Sequence, residues 1–488
     1  MGSKKQVNRR DFAKTTLAAS AAGMTLSNVL GTEVAAENQR AAGNQGAAET
    51  PLAAREAPAG AKPVPAAGTG RAARGDPGGW REGTTIPAEY YLDPGHYQND
   101  ERFIADRFWL MVDHESRIPN PGDYFVFEFG RGENVIIVRN DAGTVNAFHN
   151  VCRHRGSRLC RDSDDPRPGD PRLSVRQLSA SGNTPLFRCP YHGWTYDLDG
   201  RLVQSYRMQK DFDPAKNGLI SCHMRVAEGH IFVNLSRQER PPDFESSLDY
   251  FREVARQYGF AGLKIGARRF YPIKANWKLA IENFLECYHC GPSHKSLVTI
   301  HNWDYTLSDA QQSQRDKDVA EWEARAARRE AAVKRGMGMG GPSDPAAMEG
   351  ELNPGFLTGS LDGKPVAPLL PNSKDWTHKT NIATTIWSTG YWQAYDDYVA
   401  VARFTPRDVA RTDCEIFWLV HPQAVEGKDF KAERVMALWD ITIQEDIWIV
   451  ENNHLGITSG AYSSGRYGGH ETYPADFVKW YMAEVVKA

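Results

Sequence analysis

Apolar and polar positions follow two different patterns along the chain. Between residues 122 and 235, short apolar runs such as Val135-Ile136-Ile137-Val138 are separated by turn residues such as Asp141-Ala142-Gly143, which predicts closely spaced strands. From residue 276 onward the runs are longer. They predict helices at 276–290 and 439–451 and strands at 383–387, 393–404 and 415–420. The chain is therefore predicted to fold as a small all-β domain followed by an α+β domain with an antiparallel sheet.

The first 82 residues lack the bulky apolar positions that a folded core needs. Residues 37–82 are rich in alanine, glycine and proline, which predicts a disordered linker. In residues 1–36, Arg9-Arg10 is followed by a mildly apolar stretch and by Val34-Ala35-Ala36, and this order resembles a twin-arginine export signal with its cleavage site. Because that route exports folded proteins, the resemblance implies a periplasmic location. A short basic amphipathic helix on a cytoplasmic protein is the alternative.

Composition and charge narrow the class of protein. At 488 residues the chain has room for two or three domains, and its 24% of charged residues is ordinary for a globular protein. A net charge of −3 gives no electrostatic reason to expect nucleic acid. The sequence contains no apolar run of about 18 residues, so no membrane span is predicted. Since the seven cysteines are odd in number and widely spread, we expect five of them to be reduced and mostly buried: Cys160, Cys222, Cys287, Cys290 and Cys414.

Two short motifs pair a cysteine with a histidine. The first is C-x-H, Cys152 and His154, and the second is C-x-x-H, Cys189 and His192. Thiolates hold iron in iron–sulfur clusters, and replacing two of four thiolates by imidazoles puts both histidines on one iron and raises the reduction potential. Two other interpretations remain, a structural zinc site and a disulfide bond. Zinc fingers usually separate their cysteine pair from their histidine pair, and a Cys152–Cys189 disulfide would leave the matched histidines unexplained.

The surroundings of these motifs, CRHRG at 152–156 and CPYHGW at 189–194, resemble the two cluster loops of the Rieske oxygenase family. The resemblance implies a Rieske [2Fe–2S] cluster held by all four residues. It also implies a Rieske domain that, together with an N-terminal helix, spans residues 85–240. The segment between the two motifs is long for the family, and its polar part at 161–183 predicts a surface insertion.

A second metal site is predicted downstream. His289 and His294 follow an acidic residue, and two imidazoles with one carboxylate can occupy one face of an octahedral Fe(II), leaving the opposite face for O₂ and substrate. Taken alone, the spacing favours a structural interpretation, with one histidine capping a helix and the other packed inside. The pattern resembles the mononuclear iron site of the same family, which implies Asp446 as third ligand and Asp440 and Glu445 as fallbacks. A solvated acidic helix face is the alternative for these acids.

Two residues of the predicted 276–290 helix are candidate catalytic residues, Asn276 and Glu286. Glu286 precedes His289 by three residues, which places both on one helical face. In the family, an acid at this place links an iron histidine to a cluster histidine of the neighbouring subunit. Glutamate within E-C-Y-H-C resembles the branch that oxidises carnitine, betaine and related quaternary ammonium compounds. Cys287 and Cys290, on either side of His289, are predicted to pack in the core, and binding of a metal ion is the alternative.

The catalytic domain is predicted to cover 241–488, with a mobile insertion at about 310–370 that contains a highly charged helix at 316–335. Aromatic residues crowd the strands that follow. Trp387, Trp392 and Tyr395 are candidates for a substrate pocket, where they would surround a quaternary ammonium group through cation–π attraction. Core packing is the alternative, because aromatic residues on strands are often buried.

The family resemblance implies a terminal oxygenase component. Electrons would pass through the cluster to a mononuclear Fe(II), which activates O₂ to hydroxylate or oxidatively dealkylate a small organic substrate. A quaternary ammonium compound is the preferred substrate class. A ring-hydroxylating dioxygenase of an aromatic acid and an electron-transfer-only Rieske protein are the alternatives. By the same resemblance we expect a flavin and iron–sulfur reductase as electron donor and a homotrimer, with no nucleic acid partner and no membrane span.

Overall fold

The computed structural model describes residues 80–130, 132–161, 177–245, 248–301, 346–353, 355–377, 379–385 and 390–486. The predicted export signal, almost all of the predicted linker and the charged helix predicted at 316–335 lie outside these residues. Within them, none of the helices combines the length and the apolar character needed to cross a lipid bilayer.

In the described residues of the N-terminal half there are two α-helices and three small antiparallel sheets. The helices are α1 (Glu89–Leu92) and α2 (Pro94–Arg107). The strands are β1 (Leu110–His114), β2 (Asp123–Phe129), β3 (Glu133–Arg139), β4 (Val145–His149), β5 (Ser181–Asn183), β6 (Phe187–Arg188), β7 (Thr195–Tyr196), β8 (Leu202–Gln204), β9 (His223–Ala227) and β10 (His230–Asn234). Their orders are β1-β10-β9, β4-β3-β2-β5 and β6-β7-β8. The apolar run of β3 is buried on both faces, because Ile136 and Val138 pack under the predicted cluster loops and Val135 and Ile137 pack in the larger core.

The C-terminal half is one antiparallel sheet with helices. Its helices are α3 (Asp249–Tyr258), α4 (Trp277–Phe284), α5 (Cys290–Ser293), α6 (Lys295–Ile300), α7 (Ala432–Ile457) and α8 (Thr472–Glu484). Its strands are β11 (Lys264–Ile273), β12 (Ala346–Glu351), β13 (Lys379–Thr385), β14 (Gly390–Ala394), β15 (Tyr398–Asp408) and β16 (Arg411–Val420), in the order β11-β16-β15-β14-β13-β12. This arrangement confirms the predicted α+β fold with an antiparallel sheet.

Alternate side chains of the large sheet face two separate layers. Ala402 and Ile416 pack in one core with residues of α4 and α7. Val401 and Phe417, their neighbours along β15 and β16, pack in a second core with α3 and β10. The period of two along a strand therefore decides which residues can reach a site between the sheet and the helices α4 and α7.

Two predicted elements differ from the structure. The helix predicted at 276–290 ends at Phe284, and a turn follows before α5. The Glu286 carboxylate accepts hydrogen bonds from the backbone N–H groups of Tyr288 and His289, which competes with helical pairing. The C-terminal part of the predicted mobile insertion at about 310–370 belongs to the folded domain. Residues 346–351 form β12, which pairs with β13, and Val366 and Ala367 are buried.

A buried polar network attaches the N-terminal helices to α4. The Lys278 ammonium group is buried and contacts the Asp100 carboxylate of α2. One helical turn further, the Glu282 carboxylate accepts hydrogen bonds of 2.8 Å from the Tyr91 hydroxyl and 2.7 Å from the Tyr467 hydroxyl. Because buried charges are tolerated only when they are paired and hydrogen-bonded, these contacts fix the position of α4.

Glu282 provides a pH test of this network. Burial raises the pKa of Glu282 to about 7, although the hydrogen bonds from Tyr467 and Tyr91 favour its charged form. The unfolded chain has a glutamate pKa of about 4.3, so the folded state binds this proton more tightly and loses stability as the pH rises from about 4.3 through 7. Glu282→Gln removes the titration. The wild type should therefore lose stability between pH 5 and pH 8, while the variant should not. We expect the difference between the thermal midpoints of variant and wild type to grow by several degrees over this range, at about 2–4 °C per kcal/mol. Parallel midpoint profiles for the two proteins would contradict this.

Candidate metal centres

The two predicted cluster loops are turns of the same geometry. In the first, the Gly156 N–H donates to the Cys152 carbonyl at 3.0 Å, and in the second the Gly193 N–H donates to the Cys189 carbonyl at 3.1 Å. The two glycines have φ angles of 76° and 72°, in the left-handed region that favours glycine. The flanking glycines of both motifs therefore have a backbone role.

The four predicted cluster residues meet between these turns. Cys152 and Cys189 are free thiols with exposures of 2% and 3%, and the ring centroids of His154 and His192 lie 4.6 Å apart. The buried Nδ1 atom of His154 has no hydrogen-bond partner in the described part of the chain. Buried polar atoms are rarely left without a partner, so this nitrogen calls for a ligand. Two buried thiols and two adjacent imidazoles fit a Rieske [2Fe–2S] cluster.

Aromatic residues that sequence reasoning did not single out support this site. The Trp194 ring stacks on His154 with 4.8 Å between centroids. The Tyr196 hydroxyl accepts a 3.0 Å hydrogen bond from the Arg153 N–H and lies 3.3 Å from Cys152 Sγ, to which its own proton can be donated. Hydrogen bonds to cluster sulfurs are among the factors that set the reduction potential.

The second predicted site lies between α5, α6 and α7. Asp446 Oδ1, on α7, is 3.2 Å from His289 Nε2 and 3.0 Å from His294 Nε2. His294 and Asp446 are 1% and 5% exposed, so a ligand between them would be largely shielded from water. The structure therefore brings together the two histidines and the aspartate that the family resemblance selected. Two imidazoles and one carboxylate are the donor set of a non-haem Fe(II) site with open positions.

Two further carboxylates orient the imidazoles by contacting their Nδ1 atoms. Glu286 Oε1 lies 2.5 Å from His289 Nδ1, and Glu445 Oε2 lies 2.8 Å from His294 Nδ1. Each ring thus donates from Nδ1 and turns Nε2 towards Asp446, the arrangement that metal-binding histidines usually show. Asp440, the alternative third ligand, does not contact the two histidines. It forms an ion pair with Arg269 and accepts a hydrogen bond from the Tyr271 hydroxyl. The sequence analysis did not predict that Glu445 supports His294. The adjacent acids Glu445 and Asp446 could have indicated that one binds the metal and the other supports a histidine.

The electrostatics of the site favour a cation. Burial alone would lower the pKa of His289, yet the hydrogen bonds to Asp446 and Glu286 raise it to about 9. The pKa of Asp446 is lowered: its burial acts the other way, but the hydrogen bonds to both imidazoles prevail. Three carboxylates around two imidazoles therefore stabilise positive charge at this point, which is what a divalent metal ion supplies.

The prediction that Asn276 is catalytic is wrong. Its side chain caps the N-terminus of α4 by accepting from the Lys278 N–H, and its Nδ2 donates to the carbonyls of Tyr91 and Val409. An asparagine at this position satisfies backbone groups that the first helical turn leaves free. Asn276 is fully buried in this structural role.

The two described residues of the predicted substrate pocket, Trp392 and Tyr395, pack in different cores. Trp392 is fully buried on the far face of the sheet, where its Nε1 donates to His230 Nε2 at 3.0 Å and its ring packs on Phe251, so its assignment to the pocket is wrong. Tyr395 is also fully buried, and its hydroxyl lies 2.9 Å from His301 Nε2. Trp387 lies outside the described residues.

The expectation that Cys287 and Cys290 are reduced is wrong. They form a disulfide with their Cα atoms 4.9 Å apart. The turn after Phe284 allows this bond. In a continuous helix the Cβ atoms of residues three apart lie about 5–6 Å from each other, farther than the roughly 3.5–4.5 Å that a disulfide needs, and here the helix ends before Cys287. The other predicted reduced cysteines, Cys160, Cys222 and Cys414, are free and buried.

Four aromatic residues that contact one another form what we call the aromatic wall near the second site: Phe284, Tyr391, Phe404 and Trp439. The ring centroids of Phe284 lie 4.5 Å from Phe404 and 5.7 Å from Tyr391, and Tyr391 lies 5.8 Å from Trp439. Burial raises the pKa of Tyr391 well above its usual range, and the nearby Asp446 carboxylate adds to this. Phe284 and Tyr391 are partly exposed, whereas Phe404 and Trp439 are buried.

Comparisons with protein families match both halves of the chain. Residues 108–221 match the Rieske [2Fe-2S] domain, and residues 260–486 match the ring hydroxylating alpha subunit, catalytic domain. The oxygenase subunit of glycine betaine monooxygenase from Pseudomonas aeruginosa is 32% identical over 425 residues, which cover 82% of this chain and 89% of that protein. The oxygenase subunit of carnitine monooxygenase from Escherichia coli is 31% identical over 223 residues, 44% of this chain and 53% of that protein.

Solved structures share the fold. The quaternary ammonium Rieske monooxygenase CntA in complex with its substrate L-carnitine matches with a TM-score of 0.58 and 20% identity, covering 83% of this chain and 96% of that one. Naphthalene 1,2-dioxygenase from Rhodococcus sp. matches with a TM-score of 0.57 and 18% identity, covering 83% and 94%.

Proposed function

Because the chain belongs to the family of Rieske non-haem iron oxygenase α subunits, we propose that it oxidises a small quaternary ammonium compound. Its activity is that of a terminal oxygenase, with a Rieske [2Fe–2S] cluster, a mononuclear iron and an electron-transfer partner. The match of residues 260–486 to the catalytic domain removes the alternative of a protein that only transfers electrons.

The chain's own residues prepare both centres for this chemistry. When bound, the cluster supplies single electrons and the iron supplies O₂ activation next to a C–H bond. Cys152, His154, Cys189 and His192 would hold the cluster; His289, His294 and Asp446 would hold the iron. Glu286 and Glu445 keep the Nε2 atoms of both histidines directed at the carboxylate of Asp446.

The aromatic wall is the observation that carries the choice of substrate. A quaternary ammonium group has a permanent charge and no N–H to donate, so it is recognised by aromatic faces rather than by hydrogen bonds. Phe284, Tyr391, Phe404 and Trp439 supply such faces in contact with one another, and Tyr391 interacts electrostatically with the buried carboxylate of Asp446. The relatives named for glycine betaine and carnitine oxidation support the same substrate class.

A substrate screen tests this function. With a reductase and NAD(P)H, we expect O₂ uptake coupled to product for trimethylammonium compounds such as glycine betaine, and none for analogues in which carbon replaces the nitrogen. In Tyr391→Leu the KM for the cation should rise about 5- to 30-fold, from the 1–2 kcal/mol of one cation–π contact. Trp392→Phe, on the next residue but the opposite face of the sheet, is the matched control. Product formation from aromatic acids alone would refute the proposal.

The electron donor and the assembly complete the proposed function. A separate reductase carrying flavin and an iron–sulfur centre is proposed as donor, since the sequence shows no nucleotide-binding glycine motif after a strand. A homotrimer is proposed because both centres reach the surface: His192 and Tyr191 are exposed at the cluster, and Tyr288 is 54% exposed next to Glu286. Exposed aromatic residues are typical of protein interfaces.

Export to the periplasm is proposed from residues 1–36. Arg9-Arg10, the apolar stretch and Val34-Ala35-Ala36 occur in the order of a twin-arginine signal. That route accepts folded proteins, which suits a chain that must receive an iron–sulfur cluster before it leaves the cytoplasm. A cytoplasmic location is the alternative.

A further inference from the structure

A disulfide closes around one of the proposed iron ligands. Cys287 and Cys290 are bonded to each other, and His289 lies between them in the chain. Cys287 is partly exposed, whereas Cys290 is 3% exposed. The loop therefore has one partly exposed cysteine and one buried cysteine.

The buried sulfur lies next to both histidines. Cys290 Sγ and one ring nitrogen each of His289 and His294 lie within 4.8 Å of one another. In a tetrahedral site with ligands about 2.0–2.3 Å from the ion, neighbouring donors are about 3.5 Å apart, so these atoms would have to approach one another by roughly 1 Å to share one ion. The two histidines are thus shared by two donor sets, one with the Asp446 carboxylate and one with the Cys290 sulfur.

We propose that the Cys287–Cys290 disulfide is a redox switch that keeps Cys290 from binding the metal at His289 and His294. The proposal rests on the assignment of these histidines to iron. A sulfur in a disulfide is not a thiolate and does not compete with Asp446. After reduction, Cys290 becomes a metal ligand, and the site changes from two imidazoles and a carboxylate to a set that includes a soft thiolate.

The switch requires a dithiol. One thiolate of the reductant attacks the accessible Cys287 sulfur, the sulfur–sulfur bond breaks, and Cys290 leaves with the electron pair. The second thiol of the reductant then closes its own disulfide and releases Cys287. Overall two electrons and two protons pass from the dithiol to the protein, which gives two cysteine thiols.

The consequence of reduction is a change of metal preference. Thiolate with imidazole suits zinc, which prefers a closed tetrahedral site, whereas Fe(II) oxygenases keep positions open beside two imidazoles and one carboxylate. Reduced protein would therefore retain Zn²⁺ and lose the open positions that O₂ needs. The disulfide thus determines which metal the same pair of histidines holds.

Two variants separate the ligand role of Cys290 from a merely structural role of the disulfide. Cys287→Ser leaves Cys290 as a free thiol, and Cys290→Ser removes both the disulfide and the thiol. In the holoenzyme, the mononuclear metal is exchanged for Co²⁺ without reductant, and the cluster is followed by its own absorption. A thiolate-to-Co²⁺ charge-transfer band should appear in Cys287→Ser and in dithiol-treated wild type, but not in Cys290→Ser or oxidised wild type. Cys287→Ser should also retain Zn²⁺ against a chelator roughly tenfold better than Cys290→Ser.

The outcomes are distinct. The switch would be refuted if both variants retained Zn²⁺ equally and neither showed the thiolate band. If Co²⁺ still bound in that case, the assignment of the iron site would stand. Failure of every variant and of the wild type to bind Co²⁺ would refute the iron site and, with it, the switch. If Cys287→Ser does not fold, the dithiol-treated wild type supplies the same comparison. Cys222→Ser, which removes a buried cysteine of the β-domain, is the control and should show no band.

Discussion

Asp446→Ala is expected to abolish product formation while leaving the Rieske cluster in place. Asp446 Oδ1 is the only carboxylate oxygen that the described residues place against the Nε2 atoms of both His289 and His294. Without it, two neutral imidazoles remain, and two ligands hold Fe(II) far more weakly than three. Iron content should fall from about three to about two per chain, with unchanged cluster absorption.

Asp440→Ala is the matched control for this change. Asp440 is also an acid of α7, but its partners are Arg269 and Tyr271. Loss of that carboxylate should leave the iron content and the activity close to the wild type. If Asp446→Ala kept three irons and turned over substrate, the assignment of the third ligand would be wrong.

The features that could be predicted from sequence are those in which chemistry and local backbone coincide. Each cluster motif closes over a few residues, with a cysteine, a histidine and a glycine at fixed positions, and the structure brings both motifs together. The alternation of short apolar runs and turns likewise predicted the β-domain. In both cases the signal lies within a short window, where backbone geometry dominates.

Features that depend on the register of distant segments could not be predicted this way. Tyr391 and Trp392 are neighbours of the same chemical type, and only the pairing of β14 with β15 decides that Tyr391 faces the site. The acids of α7 pose the same problem, because the adjacent residues Glu445 and Asp446 contact different atoms: Glu445 contacts Nδ1 of His294, and Asp446 contacts its Nε2. The disulfide was missed because it depends on a helix that ends six residues earlier than predicted, at Phe284 instead of residue 290.

Glu286→Gln is expected to slow electron delivery to the iron without removing either metal centre. Glu286 Oε1 accepts from His289 Nδ1 at 2.5 Å, and its second oxygen accepts from the backbone N–H of His289 at 3.2 Å. A carboxylate oxygen has lone pairs for two donors, so in the proposed homotrimer Oε1 would be free to accept a second hydrogen bond from the exposed His192 of a neighbouring subunit. Glutamine keeps the shape but loses the charge that strengthens both hydrogen bonds. Reoxidation of the reduced cluster by O₂ and substrate should slow about 10- to 100-fold.

Glu445→Gln distinguishes this relay from simple orientation of a ligand. Glu445 supports His294 as Glu286 supports His289, so a purely orienting role predicts the same loss of iron affinity in both variants. A relay predicts that only Glu286→Gln keeps its iron while cluster reoxidation slows, with unchanged reduction of the cluster by the reductase. Mixed oligomers supply the direct test: Cys152→Ser subunits without a cluster and Asp446→Ala subunits without iron should be inactive alone and active together. If mixing restores no activity, electrons do not cross between subunits and the bridging role of Glu286 is refuted.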